Sequence, residues 1–141
     1  METLNPKATK IFCLLINKMD GKDHLRITNP PMMPLVIEYL NQTVTTPFGL
    51  GKLYSLCHYY TLNGDLMQDP EMGFIVVNEA RENPLIIPYF FQQAPIVYQE
   101  SILFENDSIH KINTDLQQKH KRFADFWLAN IEQSEYINLP S

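Results

Sequence analysis

The sequence predicts an α+β fold: a largely antiparallel sheet of about six strands, flanked by an N-terminal and a C-terminal helix packed on one face. Three observations carry the prediction. Apolar residues recur at three- and four-residue spacing only towards the two ends of the chain. Between the ends, alternating or continuous apolar runs are punctuated by Gly, Pro, Asn and Asp. The connections between those runs are shorter than the dozen or so residues that a parallel crossover needs. Helix, strands, helix, with no repeat and no linker, read as a single domain over residues 1–141.

The first helix is predicted over about 6–19. Asn5 is placed to cap it, Pro6 suits the first helical position, and Asp20-Gly21 supplies the stop. Ala8, Ile11, Phe12, Leu15, Ile16 and Met19 form one apolar stripe, with Lys7, Lys10, Asn17 and Lys18 away from it. Strands follow over about 24–105, in the runs "HLRIT", "PLVIEYL", "KLYSLCHYYT", "EMGFIVVNE", "PLIIPYFFQ" and "IVYQESILFEN". In the third run Leu53, Ser55, Cys57 and Tyr59 take one face, and Tyr54, Leu56, His58 and Tyr60 the other. Pro88 lacks the N–H that a ladder requires, so its strand is expected to be an edge, bulged or broken there. The last helix is predicted over about 109–132, with Ile109, Ile112, Leu116, Phe123, Trp127 and Ile131 on its apolar face. "TDLQ" at Thr114 to Gln117 makes a capping box if the helix proper begins there. The tail, 133–141, is expected to fray. The helices are expected to leave the other sheet face at least partly open.

Charge is unevenly spread. The net charge is −5, yet residues 53–110 hold only Arg81 against eight acids, a local net of −7. A polyanion would be repelled by the middle of the chain and would have to meet its ends. No apolar run approaches the roughly 20 residues that span a bilayer, and "METLNPKATK" lacks the h-region and cleavage site of a signal peptide. Cys13 and Cys57 match no metal spacing and lie in apolar segments, as buried thiols of a reducing cytoplasm do.

The stretch "HYYTLNGDLMQDPEMGF", with "MPLVIEYL" upstream and "FADFWLANI" downstream, resembles a bacterial domain family of unknown function typical of conjugative and other mobile elements. Its hallmark is the aromatic pair, then Asn63-Gly64-Asp65-Leu66-Met67 and Asp69-Pro70-Glu71-Met72. The resemblance implies a cytoplasmic accessory protein. It implies no reaction, cofactor or substrate.

Asp65, Asp69 and Glu71 crowd into seven residues. They read first as architecture: Asn63-Gly64 makes a tight turn, Asp65 and Asp69 accept from nearby amides, and Leu66 and Met67 plug the loop from beneath. Glu71 is then expected to face solvent and to matter little for stability. A metal site is the rival reading, but the spacing is not that of a calcium loop. His58 with Tyr54 and Tyr60 shares a strand face and could act as an acid/base group, without a nucleophile motif to serve. Tyr39, Tyr54, Tyr60, Tyr89, Phe90, Phe91 and Tyr98 could stack bases, but on strands of the wrong charge. Lys119, Lys121 and Arg122 are a basic helical patch that a solvated face explains equally well.

The function expected is a small cytoplasmic accessory protein that binds a protein or peptide. Its binding residues would be Glu71, Asp65, Asp69, His58, Tyr60 and Tyr54, and the partner a host factor if the gene sits on a mobile element or phage. No catalytic residue, metal or cofactor is assigned, and no membrane partner. A homo-oligomer is left open. The alternative is a metal-dependent hydrolase using Asp65, Asp69 and Glu71; third comes nucleic-acid binding through the terminal helices.

Overall fold

A computed structural model describes residues 1–79 and 81–139. Helix α1 spans Pro6–Lys18 and follows its sequence signals: the Asn5 side chain accepts from the Ala8 N–H at 2.7 Å, and Asp20 and Gly21 turn left-handed after the helix. Strands β1 (His24–Asn29), β2 (Met32–Thr46), β3 (Gly49–Leu62), β4 (Asp65–Val77), β5 (Leu85–Gln93), β6 (Val97–Glu100), β7 (Ile102–Glu105) and β8 (Ser108–Ile112) make one sheet. Helix α2 spans Thr114–Gln133, and a short 3-10 turn covers Tyr136–Asn138.

The sheet has eight strands where about six were expected. Two physical causes account for the difference. Run 96–106 divides at Ser101, because β6 pairs with β5 while β7 pairs with β8. Residues 108–112, expected as the start of the last helix, are extended, because Asn106 and Asp107 both adopt positive φ and turn the chain into a hairpin. Ile109 and Ile112 therefore belong to β8, not to the helix stripe. The helix begins at Thr114, capped by the Asn113 side chain, which accepts from the Leu116 N–H at 3.1 Å.

The sheet order is β6-β5-β4-β3-β2-β8-β7, with β1 also on β2. All pairings are antiparallel except the single contact of Thr45 in β2 with Ser108 in β8. The two ends of this order, β6 and β7, are consecutive in the chain and separated by Ser101 alone. Half of the sheet thus curls round on itself, and Ser101 N–H closes onto the Tyr89 carbonyl at 2.9 Å. Pro88 lies in an interior strand, tolerated because the β4–β5 register slips between Gly73 and Phe74.

Two cores result. Both helices pack on one face, where Phe12, Leu15, Trp127, Leu128 and Ile131 meet Ile37, Leu56, Met72, Phe74 and Ile86. The second core fills the curl: Val44, Leu53, Ile75, Val77, Ile87, Tyr89 and Ile102. It is tight enough that a Cβ on Gly51 would lie 2.4 Å from the Ile75 Cγ2. The expectation of an open second face therefore holds only beyond the curl. The tail is docked rather than frayed up to Leu139: Tyr136 is buried and its hydroxyl donates to the Met33 carbonyl at 2.6 Å. Pro140 and Ser141 lie outside the described residues.

Candidate functional site

Asp65, Asp69 and Glu71 do not form a loop. Asn63 and Gly64, both at positive φ, make a two-residue turn, and the three carboxylates follow along β4. Asp65 is exposed opposite Leu62, and at about 3.3 Å per residue roughly 20 Å of strand separates it from Glu71. Asp69 sits in a bulge, its Oδ1 accepting from the Gln93 side chain at 2.6 Å. Glu71 is half-buried, and its Oε2 accepts from the Ser55 hydroxyl at 2.7 Å. The expectation that Glu71 faces solvent, and that Leu66 plugs a loop, is thus corrected: Leu66 is 61% exposed. Among the described residues, no three His, Cys, Asp or Glu side chains are grouped to hold a metal ion.

His58, Tyr54 and Tyr60 lie on the opposite face from Glu71, beneath or beside the helices. His58 is buried, with Nδ1 3.2 Å from the Pro34 carbonyl and its ring 5.6 Å from that of Trp127; burial pulls its pKa down. Tyr54 is buried and donates to Glu79 Oε1 at 2.9 Å, while Lys52 Nζ lies 2.9 Å from the other carboxylate oxygen. The Tyr54 hydroxyl is pushed well above its ordinary pKa, first by burial and then by Glu79. Tyr60 reaches the Ala94 carbonyl at 3.5 Å. The six residues are therefore divided between two faces of one sheet. The aromatic residues divide too: Tyr39, Phe91 and Tyr54 are on the helix face, Phe90 and Tyr98 on the other.

What the register brings together is different. Beyond the curl, the face opposite the helices carries two rows across six strands. One runs Arg26, Val36, Cys57, Glu71, Gln92, Tyr98; the next runs His24, Glu38, Ser55, Gly73, Phe90, Glu100. Tyr59, opposite Gln68, begins the row beyond. Long side chains lie across short ones here. Phe90 covers Gly73, where a Cβ would come within 2.2 Å of its ring, and Phe90 stacks on Tyr98 at 6.0 Å. Cys57 is buried, and burial pushes its thiol up to about 12. The Tyr59 and Tyr98 hydroxyls are both raised, first by burial and further by the carboxylates of Glu71 with Glu38 or Glu100. Glu38, Glu100 and Tyr98 are exposed.

Sequence reasoning named Glu71 but missed Glu38, Tyr59, Gln92 and Glu100. Alternation already put Tyr59 on the face of Ser55 and Cys57; the bulges at 57/59 and 73/74 are what hid its neighbours. It also missed His120, which sits inside the supposed basic patch yet is buried. His120 bonds Ser101 Oγ at 2.8 Å and Gln99 Oε1 at 3.2 Å, and burial lowers its pKa to about 4. Ser101 Oγ also lies 3.2 Å from the Tyr89 carbonyl, so this trio clips α2 to the β6–β7 break. Two cavities lie away from this face. One of about 830 Å³ is lined by Lys10, Cys13, Glu79 and Arg81 beside α1, and one of about 360 Å³ by His58, Met33 and Tyr136.

No helix of the described residues is long and apolar enough to cross a membrane. A family model described as "Domain of unknown function (DUF6908)" matches residues 10–137, and the chain belongs to that family. No curated protein and no solved structure matches the chain.

Proposed function

We propose that this chain is a binding module for a protein or peptide, working through the sheet face opposite its helices. One observation carries the reading: six strands present an uncurled face whose centre is polar and aromatic rather than aliphatic. Glu71, Gln92, Tyr59 and Tyr98 gather there. A face that served only stability would be expected to repeat the aliphatic pattern found inside the curl, at Leu53, Ile75 and Ile87. Half-exposed tyrosines, amides and carboxylates are the groups that give a recognition surface contact area at low conformational cost.

Of the residues anticipated as binding groups, Glu71 is central to this face, while Asp65 and Asp69 line the β3–β4 hairpin that rims it. His58, Tyr54 and Tyr60 would act indirectly, by holding the sheet against the helices. In this reading the protein works in the cytoplasm, and the mobile-element setting suggested by the hallmark would make its partner a host factor. The separation of Asp65 from Glu71 along β4 favours no hydrolytic reading.

The test is selection from a displayed random-peptide library on the intact protein. Enriched peptides whose binding is lost in Tyr98→Ala and kept in Lys119→Gln/Arg122→Gln support the reading. An empty selection, or binding that maps to the helices, overturns it.

A further inference from the structure

Building on that reading, we infer that the occupant of this face is a cationic peptide segment, its lysine or arginine heads seated among Glu38, Glu71 and Glu100. The two rows contain three carboxylates, one of them half-buried, against Arg26 as the single fixed cation, which lies at the β1 margin. Moving from β1 towards β6, the face therefore becomes uniformly acidic. The charge decides what cannot lie there. Nucleic acid and anionic lipid would bring phosphates against three carboxylates. A second copy docking this face on itself would bring two faces of net negative charge together.

The aromatic groups point the same way. Tyr98 is 58% exposed and stacked on Phe90, so it offers a rigid ring face beside Glu71 and Glu100. A cation seated over such a ring and against a carboxylate is held by both the π-face and the charge. Within this molecule Lys52 already uses that combination on the other face, 5.7 Å from the centre of the Tyr39 ring and 2.9 Å from Glu79. The open face repeats the aromatic-plus-carboxylate pairing without an internal cation at its centre. Arginine fits better than lysine, because its planar guanidinium can stack and bond a carboxylate at once.

The experiment uses synthetic peptides of equal length and equal aromatic content, carrying arginine, lysine, neutral or acidic residues. Binding to the intact protein is read by fluorescence anisotropy at low and high salt. The arginine peptide is expected to bind best. Its affinity should fall about tenfold or more in Glu38→Gln/Glu100→Gln, whose exposed side chains can change without disturbing the fold, and fall again as salt rises. Glu71→Gln should reduce it as well. If neutral or acidic peptides bind equally and lose binding in Tyr98→Ala, the cationic inference is overturned while the peptide-binding reading stands. If nothing in the set or in a displayed library binds this face, both are overturned. Self-association abolished by Tyr98→Ala would also overturn the inference, with a second copy as occupant.

Discussion

The two faces of strand β3 were built from one alternating sequence, and they meet opposite fates. Tyr54, Leu56 and His58 point under α1 and α2, where each is buried and the polar ones find a protein partner. Ser55, Cys57 and Tyr59 point away, where Ser55 bonds Glu71 of the neighbouring strand. On the covered side, polar groups cost stability unless satisfied internally, so their partners are set by the fold. On the other side, Glu71 retains one oxygen not engaged by Ser55, and Tyr98 keeps a free ring face. Being aromatic or ionisable therefore says little about function until the covering layer is known. The same residue types are covered by helices on one side and left on the uncovered sheet face on the other.

The sharpest test of the comparison is to strip the covering layer. Trp127 is 5% exposed and packs on Phe123 and His58. Trp127→Ala should cost about 3–5 kcal/mol, a large share of the total stability of such a domain. Chemical denaturation measures it. A variant that unfolds with the wild-type midpoint would mean that the helix side is not what holds the sheet.

A second test titrates the covered side. His120 is held neutral, with a folded pKa near 4, and His58 is also lowered by burial. In the unfolded chain both return to about 6.5. Between these values the unfolded state binds more protons, so stability rises with pH, is complete above about 6.5, and falls as pH drops towards 4. For His120 the total is on the order of 3 kcal/mol at about 1.4 kcal/mol per unit. Urea midpoints across that range should show the slope, and His120→Gln should flatten it. A wild-type profile with no slope would contradict the burial of both rings.

Crossing to the open face, Gly73→Ala forces a Cβ into the rings of Phe90 and Tyr89. Because Phe90 is half-exposed and can swing aside, the cost should be about 1–3 kcal/mol, the usual range for overpacking. It should shrink in a Phe90→Ala background. Equal costs in both backgrounds would show that Phe90 does not lie across Gly73.

How far the sequence announced all this depends on the range of the interactions involved. Helix α1 was legible to within one residue because Asn5, Pro6 and Asp20-Gly21 act locally. The alternation of β3 was legible for the same reason, and Pro88 announced an edge, a bulge or a break, of which the structure has the bulge, because a missing N–H is a property of one residue. The eight-strand count was not legible. Ile109 and Ile112 are three apart, which suits a helix, and only the left-handed pair Asn106-Asp107 argued for a hairpin. The division of run 96–106 at Ser101 depends on partners brought from β5 and β8, distant in sequence. The site suffered most. Glu71 was recognised in a local cluster with Asp65 and Asp69, whereas its pairing neighbours, Cys57 and Gln92, lie 14 and 21 residues away in the chain. Two bulges shift the register between them, and no local pattern encodes that shift.

The smallest expected effects give the most discriminating comparison, because they reverse the order that the sequence suggests. Read locally, Asp65 and Asp69 hold a loop and Glu71 is idle. In the structure Asp65 is exposed on the hairpin, and its replacement should fall within about 0.5 kcal/mol of wild type, as exposed substitutions do. Asp69 accepts one side-chain bond from Gln93 at a solvent-accessible position, so Asp69→Asn should cost no more than a few tenths to about 1 kcal/mol. Glu71 accepts from Ser55, a buried hydroxyl. Glu71→Gln keeps an acceptor but loses the charge assistance, so it should cost about 0.5–1.5 kcal/mol, the largest of the three. Ser55→Ala measured alone and with Glu71→Gln completes a double-mutant cycle whose coupling should be positive. A melting series in which Asp65→Asn or Asp69→Asn exceeds Glu71→Gln would restore the local reading of the hairpin. The stated order would instead mean that Glu71 is anchored by one oxygen to the sheet through Ser55.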